Sequence, residues 1–588
     1  MLNYTVKCIP SSATFFVELS LQARDELLLR LPAWLPGSYM IRDMAAEIQS
    51  LKVFCGPNSL GVTKIDKSTW RVRVGDKQRK LSIRYEVFAQ DPSVRRAYLD
   101  TERAFLTFSS LCLCPLGSES EAIELFIKKP QDCRGWKVAT ELAPVKIDRD
   151  GFGVYRASNY DELIDMPMEI GPWESIEFEA FDVEHRIVLS GKVPPFDRKR
   201  LTHDVKRCVE TVIAFFEPET HQAPFSSYTF FLNLSENLYG GLEHRCSTAL
   251  AASFYDLPIE NQKEASSDYA RLLELFTHEY FHAWWIKRVK PSAFIAYELS
   301  AETYTELLWV FEGFTSYYDA LLTERSQAID AQTYLKSLAS TFNRHLLGTA
   351  KTRQSLAESS FDAWIKYYKV RTNRSRSVTS YYDKGALVAL TLDAYIREKS
   401  KANKSLDDVL RLAWKQYKES GEDYAGLDEE VISELIWDAT GIDVTEQLDR
   451  WVNQPEEPDY KSALKVLGLG VEENKDEIER SILGAKLTGS DRLTVAQLDE
   501  GGDSEKAGLC VGDELVAIDG IQVRKSNLQK LLERYADEKA FRIHVFRNGL
   551  LKDFNLKMNT TQKHSWRLKI IEKKSAARWL KSAKLLRK

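Results

Sequence analysis

Between residue 1 and about residue 172, apolar positions recur at every second residue in short runs such as ATFFVELSLQ, WRVRVG, KLSIRYEVFA and EAIELFIKK. Strand side chains alternate between two faces, so each run predicts a strand with one buried face. Gly, Pro, Asn and Asp close the runs and helical spacing is scarce, which predicts an N-terminal β-rich domain over residues 1–172. One segment departs from the alternation. LPAWLPGSYMIRDMA, residues 31–45, carries two prolines and a glycine and reads as a shaped loop rather than a strand.

From about 175 to 455 the apolar spacing shifts to three and four residues, as in DVKRCVETVIAFFEP, SDYARLLELFTHEYFHAWWIKRV, TYTELLWVFEGFTSYYDALLTERS and YDKGALVALTLDAYIREKS. That period belongs to helices with one buried face, so residues 173–455 are expected to form a mostly helical domain. Pro455, Pro458 and dense charge between Trp451 and Lys465 predict a linker over 456–470. Strand patterns return over 471–562, joined at Asp519-Gly520 and Asn548-Gly549 and flanking a helix at SNLQKLLERYA, which predicts a compact β domain. The basic extension over 563–588 is expected to form a strand and a helix that pack Trp566, Ile570 and Trp579 onto the body. The fold class expected is therefore multidomain α+β.

Composition changes this picture little. A chain of 588 residues is too long for one core, which fits roughly three to four domains. With 44% hydrophobic and 28% charged residues and a net charge of −5, nothing calls for nucleic acid as the main partner. No run of about 18 apolar residues predicts a membrane span, and MLNYTVKCIPSSATFFVELS lacks the basic and apolar regions of a secretory signal. Eight scattered cysteines, with only Cys112 and Cys114 close together, read as reduced thiols of a cytoplasmic protein.

The chemistry concentrates in THEYFHAWW, residues 277–285. Helix positions four apart share a face, so His278 and His282 can aim at one metal ion with Glu279 beside them. The helix is expected to start near Ser267-Asp268, and its Leu272, Leu273, Phe276 and Phe281 place the histidines on a core-packed element. Two histidines leave a third ligand to be found, because a catalytic zinc takes three protein ligands and an open position. Glu298, Glu302, Glu306 and Glu312 are the candidates downstream. A capping box, Thr303-x-x-Glu306, assigns Glu306 to a helix end. Spacing does not separate Glu302 from Glu312, although Glu312 is the lone charge in LLWVFEGFTSYY, where a carboxylate is costly unless paired or metal-bound.

HEYFHAWWIKRVKP, YTELLWVFEGFTSYYDALL, YGGLEHRCST, LPAWLPGSYMIRD and SYYDKGALVAL together resemble the glycyl aminopeptidase family, PDZ-containing gluzincin metallopeptidases related to the alanyl-type aminopeptidases. The resemblance covers nearly the whole chain and implies a thermolysin-like gluzincin catalytic domain followed by a PDZ domain. It makes His278, His282 and Glu312 the ligands of one zinc ion, because FEGFTSYY matches the family's E-G-x-T-S-Y-Y segment. Glu279 then serves as general base. The same resemblance puts Tyr382, rather than its neighbour Tyr381, in place to stabilise the oxyanion. YGGLEH matches the relatives' Gly-Ala-Met-Glu-Asn segment and places Glu243 where it would pair with a substrate's N-terminal ammonium, with Gly240 and Gly241 allowing close approach of the backbone. His244 stands where the relatives have Asn and is taken as substrate-side or structural.

Two departures stand out. The family's Trp-Asn-Val-Lys-Arg reads Trp284-Trp285-Ile286-Lys287-Arg288 here, so any hydrogen bond from that amide to the metal site is expected to be lost. KVRTNRSRSVTSYY is also unusually basic and reads as a solvated loop.

AGLCVGDELVAIDG, residues 507–520, resembles a PDZ signature, which makes Leu483-Gly484-Ala485 the carboxylate-binding loop for a C-terminal peptide. A structural or dimer-contact role is the alternative, and a homo-oligomer is compatible with it. The function expected is a zinc aminopeptidase acting on peptides with a free N-terminus, the resemblance implying N-terminal Gly or Ala. The alternatives are a zinc endopeptidase and a catalytically weak PDZ peptide-binding scaffold.

Overall fold

The computed structural model describes residues 1–131, 133–369, 376–475, 482–535, 538–557 and 564–581. Residues 370–375, part of the basic stretch that the sequence reads as a solvated loop, lie outside them, as do residues 563 and 582–588 of the basic extension. The chain divides into two compact units. The first comprises Met1–Thr305, Tyr318–Thr333 and Asp407–Leu435, and the second Glu306–Tyr317, Tyr334–Leu406 and Ile436–Lys588.

In the first unit the alternating runs form a ten-stranded sheet built around two long antiparallel strands, Thr14–Arg30 and Thr69–Phe88. Their register, Val17 opposite Tyr85 and Leu19 opposite Ile83, puts apolar side chains on one face, and all four are buried. That alternation is what a one-sided sheet requires. The same core continues through Leu242, Ala249 and Ala251 into a second, five-stranded sheet, so the β-rich region and the next sheet share one apolar interior.

That five-stranded sheet opens the region expected to be mostly helical. Val183–Gly191, Ser227–Leu234 and Ser247–Ala252 run parallel in its middle. Parallel strands are covered on both faces, so HRIVLSG, SYTFFLNL and STALAA show no alternation and give no strand period to read. Helix Arg198–Phe216 connects the first two by a crossover, and Gly240–Glu243 pairs antiparallel at the edge.

The second unit contains helices Leu356–Phe361, Asp383–Lys399 and Tyr460–Val466 and a C-terminal sheet. The segment expected to be a linker is ordered: Asp459 caps helix Tyr460–Val466 by accepting from the Ser462 N–H at 3.1 Å. Its charge density has a physical use, since Glu457 accepts from His345 at 2.6 Å and faces the fully buried Lys384 ammonium at 3.4 Å. Strand Leu469–Lys475 pairs with His564–Ile570, apart from the C-terminal sheet, which begins at Ala485. That sheet has six strands and a core of Leu493, Val495, Ile518, Leu532, Ile543 and Val545. Both expected turns form, with positive φ at Asp519, Gly520, Asn548 and Gly549. In the basic extension Trp579 is buried and donates to the Tyr317 hydroxyl at 2.9 Å; Leu568 is buried too, while Trp566 and Ile570 are half-buried.

Candidate active site

Helix Ser267–Phe281 begins where expected, and its cap stands one residue earlier, with the Ser266 hydroxyl accepting from the Tyr269 N–H at 3.1 Å. Leu272, Leu273, Phe276, Tyr280 and Phe281 bury one face against an aromatic cluster that includes Phe230 and Phe216. His278 lies in the last helical turn and His282 at the C-cap. The segment after His282 is tightly restrained. Ile286, a β-branched residue, has a φ of 88°, a conformation that costs energy and persists only under restraint. The restraint is visible: Lys287 donates to Asp165 at 2.6 Å, and Arg288 donates to the carbonyls of Ala283, Arg245 and Pro224. Burial alone would raise Asp165, but the Lys287 ammonium and the His244 imidazole outweigh it and hold its carboxyl well below the usual range.

The two imidazoles are oriented by their Nδ1 atoms. His278 Nδ1 meets Asp319 Oδ2 at 2.8 Å, and His282 Nδ1 meets the Trp285 carbonyl at 3.0 Å. A carbonyl only accepts, so His282 is protonated at Nδ1 and turns the lone pair of Nε2 inward. The two Nε2 atoms face one another at 3.1 Å. This pair needs a shared cation, either a proton or a metal ion. Two nitrogen ligands at about 2.0–2.1 Å from a tetrahedral zinc would stand about 3.3 Å apart, so the observed spacing fits that ion. At Trp285 it is the main chain, not the side chain, that orients His282.

Glu279 is buried beside this pair, and the acidic or imidazole atoms of Glu243, Glu279 and His282 lie within 4.8 Å of one another. A Cβ at Gly241 would stand 2.0 Å from Glu279 Oε1, so Gly241 makes room for the Glu279 carboxylate. Gly240 has a φ of 146° and faces Arg95, whose guanidinium donates to the Gly241 carbonyl at 3.0 Å. The edge strand presents Glu243 opposite Thr248. Glu243 is 4% exposed, and its Oε1 has no hydrogen-bond partner among the described residues. A buried carboxylate with an unused oxygen is a ready acceptor for a positively charged donor. His244 is buried behind it, with Nδ1 at 3.4 Å from Asp165 Oδ1.

In the second unit the FEG and DKG segments meet. Trp309–Gly313 is a single π-helical turn that runs into helix Phe314–Arg325, and the expected Thr303 capping box does not form, since residues 302–305 are irregular. Glu312 is 2% exposed within that turn. Gly313 and Gly385 pack backbone on backbone: a Cβ at Gly313 would lie 2.6 Å from Gly385 Cα. Their contact brings Glu312 near Tyr382. The packed surroundings first, and the Glu312 carboxylate second, push the Tyr382 phenol well above its ordinary value, so it remains protonated as a donor. Tyr382 shares a hydrogen bond with the Tyr368 hydroxyl at 2.8 Å.

Sequence reasoning missed Asp319 and Gly313–Gly385. A signal existed for the first: Asp319 follows Glu312 by seven residues, two helical turns, on the same face.

Models of two families match the chain: the M61 peptidase N-terminal domain over residues 3–172 and M61 glycyl aminopeptidase over residues 271–388. A solved aminopeptidase N family protein from Idiomarina loihiensis is 35% identical, with 99% of this chain and 100% of that one covered at a TM-score of 0.93. The chain belongs to the M61 glycyl aminopeptidase family. It is thereby a metallo-aminopeptidase-type hydrolase with a β-rich N-terminal domain and a helical middle region. A mutant M1 zinc metallopeptidase from Deinococcus radiodurans is also similar, at 13% identity and a TM-score of 0.47, covering 78% of this chain and 95% of that one. Among curated proteins nothing matches. No helix among the described residues is long and apolar enough to cross a membrane.

Proposed function

We propose that this M61 member is a zinc-dependent aminopeptidase that removes a small residue, Gly or Ala, from the N-terminus of peptides. The observation that carries it is the imidazole pair, both Nδ1 atoms engaged and both Nε2 atoms facing at 3.1 Å, with Glu279 buried alongside. His278, His282 and Glu312 would hold the ion. Glu312 is 2% exposed, whereas Glu302 is only half-buried in an irregular segment, and a buried carboxylate is costly unless paired or metal-bound, which supports Glu312 over Glu302 as the third ligand. Bound there, zinc would lower the pKa of water and polarise the scissile carbonyl.

The chain's own groups do the rest. Glu243 receives the substrate's ammonium on its unused Oε1, which fixes the first peptide bond rather than an internal one at the reacting position. Glu279 takes a proton from the attacking water and returns it to the departing amine. The Tyr382 hydroxyl donates to the oxygen that gains charge as the carbonyl becomes tetrahedral.

The test is hydrolysis of glycyl, alanyl and leucyl p-nitroanilides, and of an N-acetylglycyl peptide, by zinc-loaded wild type and Glu279→Gln. Cleavage of the free-amine Gly and Ala substrates by wild type alone supports the reading. Cleavage of the acetylated peptide would turn it toward an endopeptidase, and zinc binding without any cleavage toward a scaffold.

The C-terminal sheet is proposed as a PDZ module. Strand Ala485–Thr488 lies at one edge of it, preceded by Leu483-Gly484, and Leu528–Tyr535 is the helix that would flank an added peptide strand.

A further inference from the structure

We propose that Gly37, at the tip of the turn inside LPAWLPGSYMIRD, is a positioning residue for Glu243: the turn is a backstop that holds the carboxylate where it meets the substrate's ammonium. This rests on the aminopeptidase reading above.

The turn runs Leu35-Pro36-Gly37-Ser38 and closes with Ser38 N–H donating to the Leu35 carbonyl at 3.0 Å. Proline at its second position and a glycine φ of 89° at its third make a type II turn, which needs glycine for its backbone. Gly37 also meets a second demand. A Cβ there would stand 2.6 Å from both Oε1 and Oε2 of Glu243, well inside ordinary contact, so the Gly37 Cα is the surface against which the carboxylate rests.

A backstop must itself be fixed, and this one is. Ala33 N–H donates to the Leu299 carbonyl at 2.7 Å, Trp34 Nε1 to the Glu298 carbonyl at 2.9 Å, and Arg42 N–H to the Ala33 carbonyl at 2.7 Å. Tyr39 stacks on Phe294 with ring centroids 5.8 Å apart. On the opposite flank Arg95 pins the Gly241 carbonyl, so the β-rich domain grips the Glu243 strand at two points. Gly37, Trp34 and Tyr39 line one pocket together with Glu243 and His244. The prolines and glycine that break the alternation thus build a rigid wall for the amine site.

Because Gly37 acts through Glu243, a double-mutant cycle reads the role directly. Gly37→Ala and wild type are compared on glycyl p-nitroanilide in the Glu243 and the Glu243→Ala backgrounds, with zinc content measured in all four. With Glu243 present, kcat/KM should fall about 10- to 100-fold, mainly through KM and with zinc retained, as expected when a binding group shifts by about 1 Å. In the Glu243→Ala background the same change should cost nothing further. An equal loss in both backgrounds, or no loss in either, overturns the proposal. If the alanine chain does not fold, Gly37→Asn carries the same cycle, since asparagine accepts a left-handed backbone more readily than alanine. If wild type releases no glycine, the aminopeptidase reading falls and this proposal with it; if wild type does and the cycle is additive, only the positioning role falls.

Discussion

Gly385→Ala should damage the site without touching a charged group. A methyl at Gly385 would lie 2.8 Å from Gly313 Cα and 2.9 Å from the Trp309 carbonyl, where ordinary contact begins near 3.4 Å. Neither obstacle is a side chain that can swing away, so the two backbones must part by roughly 0.5–1 Å, at an overpacking cost of about 1–3 kcal/mol. At roughly 2–4 °C per kcal/mol for a folded unit of this kind, the melting temperature should drop by several degrees. The same displacement moves Tyr382, three residues before Gly385, away from Glu312, one residue before Gly313. A shift of that size between groups that must converge costs up to about 100-fold in rate. Calorimetry and kcat on alanyl p-nitroanilide, with zinc content as control, measure both effects. Gly313→Ala must behave alike, because the contact is mutual. Unchanged melting and unchanged kcat in either variant would refute the close-packing argument, and a stability loss with full kcat would refute the link to Tyr382.

Asp319→Asn keeps the size of the side chain that orients His278 but removes its charge; zinc affinity should fall about 10- to 100-fold by competition with a chelator, while the fold is kept. Tyr382→Phe should lower kcat by about 100-fold or more at unchanged zinc content, and Tyr381→Phe much less; a larger effect at Tyr381 would move the oxyanion role there. Lys287→Met leaves the buried Asp165 carboxylate without its ammonium, at a cost of about 3–5 kcal/mol. The pH dependence has a definite sign. Asp165 is held below its unfolded value, so its contribution is present above about pH 4 and is lost as pH falls through the lower folded value. Denaturation midpoints from pH 3 to 8 should show wild type losing this contribution only at the acid end and the variant lacking it throughout.

The parts of the fold and of the site that the sequence displays are those fixed by local geometry. His278 and His282 declare themselves because helix periodicity alone sets their relation, and the Asn548-Gly549 turn because two consecutive positive φ values demand such residues. The parts it hides depend on elements that meet only after folding. SYTFFLNL gives no alternation because both of its faces are covered, so the sheet that carries Glu243 at its edge went unread. The expected box at Thr303 is absent because the helical segment it was to cap starts further along, at Trp309, a boundary that tertiary packing rather than local sequence sets. Glycines are the sharpest case. Gly37, Gly313 and Gly385 look like ordinary loop or helix glycines in sequence, and Gly241 reads only as room for a ligand, yet each lacks a Cβ because something specific occupies its place: the Glu243 carboxylate, the Glu279 carboxylate, or the other helix of a crossing pair. Two of the site's carboxylates are therefore set by absent side chains, and a reading that scores only chemically active residues passes over the positions that place them.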